Sequence, residues 1–333
     1  MKLRRFWQLA LCLGGIITIF QPPNVKGQTE LSSDQTLAFE SAWNHRKDVI
    51  KSLALKANII EIRKGRGEQP AQPAGLLSDN APKTDRQFVT KVEYYYEQGK
   101  TAITRTGLVS TGDDSNGVAE QTFRTTFDGQ LTASLLEQAS HRSGSFEKKR
   151  SAGGFISQNG HLLAVNLWIQ PQLTLDGIGW NVKGMKVENH PVEVDGIECK
   201  QIRLPRKGSP QTSLIDVDAA REWIPIQWQI WQGERLTMKL SIQYGIDKKV
   251  GPLVSGWNYV SYNNVGESEL IRKGVVTSCD VNVKIDPSHF TIKFPIGTHL
   301  WEDIDGGRRY YLQKADGMSP VDYSSGKHKA ANQ

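Results

Sequence analysis

A regular alternation of apolar and polar residues in two consecutive segments is the feature that most limits how this 333-residue chain can fold. In Ile224–Ile230 every even-numbered side chain is apolar, and the same holds in Leu236–Tyr244, after a turn at Gly233. Because strand side chains point alternately to two faces, these segments predict a β-hairpin with one apolar and one polar face. Pro225 lacks a ladder donor, so the first strand either begins there or lies at a sheet edge.

The same period of two recurs along much of the chain after residue 87. In Val92–Tyr96 the even-numbered side chains are apolar or aromatic and share one face. Phe127-Asp128-Gly129 predicts a turn between two further strands, because Asp and Gly favour tight-turn backbone. Later strands are predicted at Val281–Ile285 and Phe290–Phe294, which gives about ten strands in all.

Helices are predicted at two places only. Ser33 can cap a helix that runs from Asp34 to about Leu53 and carries an irregular apolar stripe. A strand, Leu55–Arg63, is predicted directly after it. Apolar positions without alternation predict one or two short helices within Gly160–Trp180.

Strands joined by turns, with few helices between them, exclude a doubly wound α/β sheet and indicate a mainly β (α+β) fold. The predicted sheet is antiparallel, curved or sandwiched, and the N-terminal and middle helices cover its apolar face. We predict one domain over residues 28–313, with surface loops at 65–86 and 139–151. Residues 314–333 are predicted to form a flexible C-terminal tail.

The first residues have the three parts of a secretory signal peptide. A basic start, an apolar run from Phe6 to Phe20 and the helix-breaking Pro22-Pro23 predict export, with cleavage before Gln28. The run is shorter than the roughly 20 residues that span a bilayer, and no later stretch is long and apolar enough to do so. An uncleaved N-terminal anchor, or acylation at Cys12, are the alternatives.

Removal of residues 1–27 changes the charge of the chain. The net charge falls from +6 to +2, with 37 basic against 35 acidic residues, because four basic residues and no acidic residue are lost. A nearly neutral body with interspersed signs offers no electrostatic surface for nucleic acid.

Two cysteines, Cys199 and Cys279, remain in the mature chain. An exported protein permits a disulfide between them, which would contribute about 4 kcal/mol by closing a loop of about 80 residues. Two buried thiols are the equal alternative. No metal site or cofactor is predicted, because the seven histidines are scattered and Asp303–Gly307 fits a turn better than a calcium loop.

Several segments together resemble the LolA-like superfamily of periplasmic lipoprotein carriers and lipoprotein-like ligand binders. Ile215–Asp218 and Trp223–Trp228 are similar to that family's "W-[IV]-D … P-[LV]-x-W" strand pair, and the turn at 127–129 matches its "FDG" turn. Phe294–Asp303 resembles the "F-P-x-G-T-x-V-x-D" close of large exported relatives of unassigned function. The chain departs from the carriers in its length and in its insertions at 65–86 and 139–151.

This resemblance implies a strongly curved sheet or half-open β-barrel, closed by helices over a cavity for acyl chains. We predict reversible, non-enzymatic binding of a lipidic or lipoprotein ligand in the periplasm or cell envelope. The predicted ligand-binding side chains are Phe39, Trp43, Ile226, Trp228, Leu236, Met238 and Leu240.

Trp228 taken alone fits a filled core beneath a helix better than a cavity wall, so a structural or partner-binding envelope protein without a cavity is the alternative. A hydrolase is a third possibility, although the sequence contains no H-E-x-x-H, no G-x-S-x-G and no Gly-rich phosphate loop. Such an enzyme would need a site assembled from residues distant in sequence.

Overall fold

The computed structural model describes residues 28–30, 33–65, 84–110, 118–139, 141–148, 160–177, 180, 185–188, 191–205, 209–304 and 307–321. The predicted signal peptide, most of the predicted loop at 65–86 and residues 322–333 lie outside these ranges. Signal cleavage therefore stays a prediction.

Eighteen strands and three α-helices make up the described part of the chain. The strands of the first half are β1 (Gln28–Glu30), β2 (Ser52–Arg63), β3 (Arg86–Glu97), β4 (Lys100–Ser110), β5 (Val118–Phe127), β6 (Leu131–Gln138) and β7 (His141–Lys148). The helices are α1 (Ser33–Val49), α2 (Leu163–Ile169) and α3 (Pro171–Gly177). Single-turn 3₁₀ helices lie at Gly160–Leu162, Ala219–Arg221 and Pro287–Phe290.

The second half of the chain supplies the remaining strands. They are β8 (Lys186–Glu188), β9 (Val192–Val194), β10 (Ile197–Pro205), β11 (Gln211–Asp218), β12 (Ile224–Gln232), β13 (Arg235–Asp247), β14 (Gly251–Tyr262), β15 (Ser268–Val281), β16 (His299–Ile304), β17 (Gly307–Lys314) and β18 (Gly317–Pro320).

All these strands form one curved, unclosed sheet. Its order is β1-β8-β10-β11-β12-β13-β14-β15-β2-β3-β4-β5-β6-β7-β16-β17-β18. The short strand β9 pairs with the first residues of β10, whereas β8 pairs with residues farther along β10. The pair β15–β2 joins the two halves of the chain, and among the described pairings only β7–β16 is parallel. The predicted mainly β, antiparallel and half-open architecture is therefore confirmed.

The central hairpin places its even-numbered apolar side chains on one face, as predicted. Trp228 of β12 lies opposite Leu240 of β13 and Ile215 of β11, so the three side chains share the inner face. Pro225 lies at the start of β12, where the β11–β12 register shifts, and β12 is an interior strand. Pro225 therefore lies near the beginning of a strand and not on an edge strand, which is one of the two predicted alternatives.

The predicted loop at 139–151 is wrong, because β7 occupies its middle. This strand is polar apart from Phe146, so its side chains give no alternation to detect. Its backbone pairs with β6 on one side and with β16 on the other, and these ladders stabilise it without an apolar stripe. The predicted flexible tail from residue 314 is also wrong in its first part, since β18 lies there.

The predicted strands at 281–285 and 290–294 are replaced by an irregular segment. β15 ends at Val281, and Asn282 follows in left-handed backbone with φ +56°. Asp286 accepts a hydrogen bond from the Ser288 amide and caps the 3₁₀ helix after it. The apolar Ile285 and Phe290 of this segment are buried against Ala102, so their spacing reflects burial and not a strand.

The inner face of the sheet packs on α1 and α2 in one large core. Phe39 and Trp43 of α1 and Trp168 of α2 contact side chains of the central hairpin and of β2 and β3. Cys199 on β10 and Cys279 on β15 are both free thiols, with β11–β14 between their strands. Cys199 and Cys279 therefore form no disulfide with each other, which agrees with the alternative of two thiols.

We predict that Gly144→Val destabilises the β7–β16 contact. A Cβ added at buried Gly144 would lie 2.6 Å from a ring carbon of Phe294 and 2.8 Å from Leu300 Cδ2. Crowding of this kind costs about 1–3 kcal/mol of unfolding free energy, measurable by urea denaturation. Ser145→Val on the same strand is the control, with an expected change below about 0.5 kcal/mol. Equal effects of the two would contradict the packing of β7.

Candidate functional site

Five of the seven predicted ligand-binding side chains lie together in the main core. They are Phe39, Trp43, Trp228, Met238 and Leu240. Ile226 belongs to a smaller cluster with Val194, Cys199 and Ile224, and Leu236 is half-buried outside both clusters. The curved sheet and α1 therefore bring together most of the residues that the alternation placed on one face.

Most of this group is filled core and not cavity wall. Phe39 and Leu240 are 0% exposed and Trp228 is 1% exposed, and α2 fills the space beside them with Trp168, also 0% exposed. Polar ends of the tryptophans are satisfied, since Trp228 Nε1 donates to Ser213 Oγ and Trp168 Nε1 donates to the Pro252 carbonyl at 2.9 Å. Contact of these core side chains with a ligand stays a prediction.

Trp43 also lines a cavity of about 250 Å³ between α1 and the α2–α3 junction, here called the α1 cavity. Its lining is Trp43, Asn44, Lys47, Ile169, Gln170, Pro171 and Gln172. Trp43, 4% exposed, and Pro171 supply the apolar part of the lining, and the fully buried Ile169 lies behind it. Exposed Asn44 and Lys47 form part of a polar rim. The arrangement suits a molecule with an apolar body and a polar end.

The sequence predicted Trp43 but missed the residues at the helix junction. Gln170 separates α2 from α3, and Pro171 begins α3 at a position that favours proline. This proline was the available signal, because it marks a break between two helices at which a gap can open.

Two side chains of α1 fix that helix to the rest of the molecule. Arg46, 4% exposed, donates to the carbonyls of Glu222 at 3.0 Å and Trp168 at 3.4 Å. Trp43 Nε1 donates to the Trp223 carbonyl at 3.0 Å. The α1 cavity is thus bounded by a helix whose position depends on a few long-range hydrogen bonds.

The turn that receives these bonds has unusual backbone. Glu222 and Trp223 both lie in the left-handed region, with φ +57° and +56°. Two consecutive non-glycine residues in this region cost free energy, and the surrounding contacts must hold them there. Asp218, which caps the 3₁₀ helix by accepting from the Ala220 and Arg221 amides, and the donors of α1 supply such contacts.

Electrostatics around Arg46 follow from its burial. Burial lowers the pKa of Arg46, while Tyr244 and Glu222 act in the opposite direction, and an arginine stays charged under such conditions. Burial also raises the pKa of Tyr244, whose hydroxyl donates to the Pro225 carbonyl at 2.7 Å. Tyr244 is therefore a neutral phenol close to the buried cation of Arg46.

Neither a metal cluster nor a spanning helix is found among the described residues. In those ranges no three His, Cys, Asp or Glu side chains are grouped to hold a metal ion. None of the helices described above has the length and apolar character to cross a membrane.

Comparisons with known proteins give distant likenesses only. No protein-family model matches the chain, and no curated protein matches it. A LolA superfamily protein from Nitrosomonas europaea is 10% identical, with a TM-score of 0.40 over 76% of this chain and 97% of its own. A porin-like protein from Bacteroides uniformis is 8% identical, with a TM-score of 0.25 over 68% of this chain and 97% of its own.

The first of these likenesses agrees with the LolA-like resemblance predicted from the sequence. Scores this low carry no argument about function, so the architecture rests on the strand pairings and the site on its own geometry.

We predict that Arg46→Met lowers the unfolding free energy by about 2–3 kcal/mol, because two charge-assisted hydrogen bonds to buried carbonyls are lost. Methionine keeps most of the apolar stem, so the change reports mainly on the guanidinium. Lys47→Met, at the exposed neighbouring position, should change the same quantity by less than about 0.5 kcal/mol in urea titrations. Identical titrations for both variants would contradict an anchoring role for Arg46.

Proposed function

We propose that this protein is an exported, non-enzymatic binding protein of the cell envelope that takes a lipidic or lipoprotein ligand. The α1 cavity carries the proposal, because it joins an apolar lining of Trp43 and Pro171 to a polar rim beside the anchored helix α1. Its volume of about 250 Å³ lies just below the usual range of small-molecule sites, about 300–1,000 Å³. Part of an acyl chain fits such a space better than a whole lipid does.

Affinity in this site would come from burial of methylene groups. Each buried methylene contributes about 0.8 kcal/mol, so a short stretch of acyl chain against Trp43 and Pro171 supplies a few kcal/mol. Release then needs no chemical step, only separation of α1 from the α2–α3 junction. Of the hydrogen bonds described for α1, the one from Arg46 to the Trp168 carbonyl of α2 is the bond that such a separation would break.

A second candidate function is a structural or partner-binding envelope protein. The filled core favours it, because Phe39, Trp228 and Leu240 are nearly or fully inaccessible and pack on α2. In that case the α1 cavity would hold only water, and the sheet would serve as a scaffold. The two candidates differ in whether apolar molecules compete for one saturable site.

Asn44→Trp is expected to weaken uptake of a fluorescent fatty acid by the delipidated protein. Asn44 is exposed on α1 and lines the cavity, so an indole there would occupy its mouth. The loss should be roughly fivefold or more, equivalent to about 1 kcal/mol of binding free energy, in a fluorescence titration. His45→Trp is the matched control, since His45 is the exposed neighbour on the same helix and does not line the cavity.

Mass spectrometry of organic extracts gives the independent check. Lipid in extracts of the purified protein, together with saturable uptake that only Asn44→Trp weakens, supports the proposal. Extracts without lipid and no saturable uptake by the unaltered protein would favour the filled-core alternative instead.

A further inference from the structure

A second, charged pocket lies on the inner face of the sheet, where β2–β5 and β15 meet the 3₁₀ helix before α2. It encloses about 140 Å³ and shares no lining residue with the α1 cavity. Its lining is Glu61, Arg63, Phe88, Thr90, Arg105, Gly107, Leu108, Gln121, Phe123 and His161. We call it the arginine pocket, and we include Arg272, which contacts Glu61 within it.

Glu61 is the centre of this pocket and accepts from two arginines. Arg63 Nε donates to Glu61 Oε1 and Arg272 Nε donates to Glu61 Oε2, each at 2.7 Å. Burial alone would raise the pKa of this carboxyl, which is 7% exposed, but Arg272 and Arg63 hold it below its usual value. Glu61 is therefore ionised and supplies one negative charge.

Arg105 is a third cation. Among the described residues Glu61 pairs with Arg63 and Arg272, and no carboxylate forms an ion pair with Arg105. Its guanidinium carbon lies 4.7 Å from the centroid of the Phe123 ring. Its Nε is buried and has no hydrogen-bond partner among the described residues. Burial and the charge of Arg272 lower the pKa of Arg105, and Glu61 opposes them, yet the guanidinium stays protonated.

His161 adds a neutral polar group to the same pocket. Its Nδ1 lies 3.9 Å from Glu61 Oε2 and, within the described ranges, makes no hydrogen bond. Burial, Arg272 and Arg105 lower the pKa of His161 to about 3, against the attraction of Glu61. The imidazole is therefore neutral near pH 7, and its proximity to Glu61 is not an ion pair.

The charges of the pocket do not balance. Among the described residues of the pocket, the guanidinium groups of Arg105 and Arg272 and the half-exposed one of Arg63 face a single carboxylate, that of Glu61, so cations outnumber carboxylates there. Unpaired charge away from water is costly, so such a site favours a bound anion.

The donors that an anion needs are held in place beforehand. The ring of Phe123 lies under Arg105, and the ring of Tyr259 lies 5.6 Å from the guanidinium carbon of Arg272. Arg272 uses Nε–H for Glu61, and a guanidinium has four further N–H donors. Cation–π contacts orient both groups, which lowers the entropy lost when an anion binds.

We infer that the arginine pocket binds a carboxylate or phosphate group from an external ligand, with Arg105 and Arg272 as its donors. Phe88 and Phe123 form apolar walls beside these donors, so the anion can be free or can be the head group of an amphiphile. This site is separate from the α1 cavity and stands whether or not that cavity binds lipid.

The test compares inorganic phosphate, decyl phosphate, decanoate and uncharged decanol by calorimetric titration of the whole protein. The three anions should bind, and decanol should bind at least roughly tenfold more weakly than decyl phosphate. Tighter binding of decyl phosphate than of inorganic phosphate indicates an amphiphile's head group, and equal binding indicates a free anion. No binding of any of the three anions would overturn the inference.

Arg105→Gln should weaken anion binding roughly tenfold or more, because it removes one charged donor while keeping much of the side-chain length. Arg124→Gln, on the exposed side of the adjacent strand β5, should leave binding within roughly twofold, as expected for a surface charge outside the pocket. Arg105→Lys keeps the charge and should restore part of the affinity. Equal affinities of Arg105→Gln and Arg124→Gln would overturn the inference.

Thermal melts guard against loss of folding as an explanation. In anion-free buffer Arg105→Gln should melt at or above the temperature of the unaltered protein, because it removes a partly buried cation that has no ion-pair partner among the described residues. Phosphate should raise the melting temperature of the unaltered protein more than that of this variant. If Arg105→Gln instead melts lower and phosphate raises both melting temperatures equally, the inference is overturned.

Discussion

Burial of the sheet's apolar face is the constraint on which the rest of this structure depends. A strand ladder satisfies backbone hydrogen bonds but leaves the inner side chains of β12–β14, β2 and β3 needing a cover. The curve of the sheet and the packing of Phe39, Trp43 and Trp168 against it provide that cover in one step. Helix α1 is therefore part of the core of this protein, and its few polar anchors matter because they fix a large apolar surface.

The two pockets lie where this filling is incomplete. Beside α1, the break between α2 and α3 at Pro171 leaves a gap that Trp43 only partly closes. Farther along the inner face, the apolar series of β2 gives way to Glu61, and the space is occupied by charged side chains instead of a helix. The molecule thus has a cavity between helices and, separate from it, a charged pocket on the inner face of the sheet.

Sequence periodicity predicted the elements whose two faces differ in polarity. The β12–β13 hairpin has its apolar side chains on even positions, so the face shared by Trp228 and Leu240 could be predicted, whereas the bulge at Ile230–Trp231 that sets their register could not. Strand β7 could not be found in this way, since both of its faces are polar and its stability comes from neighbours on both edges. At Ile285 and Phe290 the alternation predicted strands that do not form. These side chains are buried in an irregular segment, and their spacing resembles that of a strand.

The sequence identified most of the core but little of the pockets. Trp43 could be predicted because it belongs to the apolar stripe of α1, whereas Gln170 and Gln172 could not, since their role depends on how two helices meet. Glu61, Arg105 and Arg272 are far apart in the chain and form no local motif. One signal was available: Glu61 follows Leu55, Ala57 and Ile59 at the inward positions of β2, where a carboxylate is out of place unless cations face it.

A crystal structure with a fatty acid that carries bromine at its chain end tests the central claim most directly. Binding in the α1 cavity predicts an anomalous peak between α1 and the α2–α3 junction, in contact with Trp43 and Pro171. Crystals in which the compound binds elsewhere, or in which only water lies beside Trp43 at saturating concentration, would contradict it.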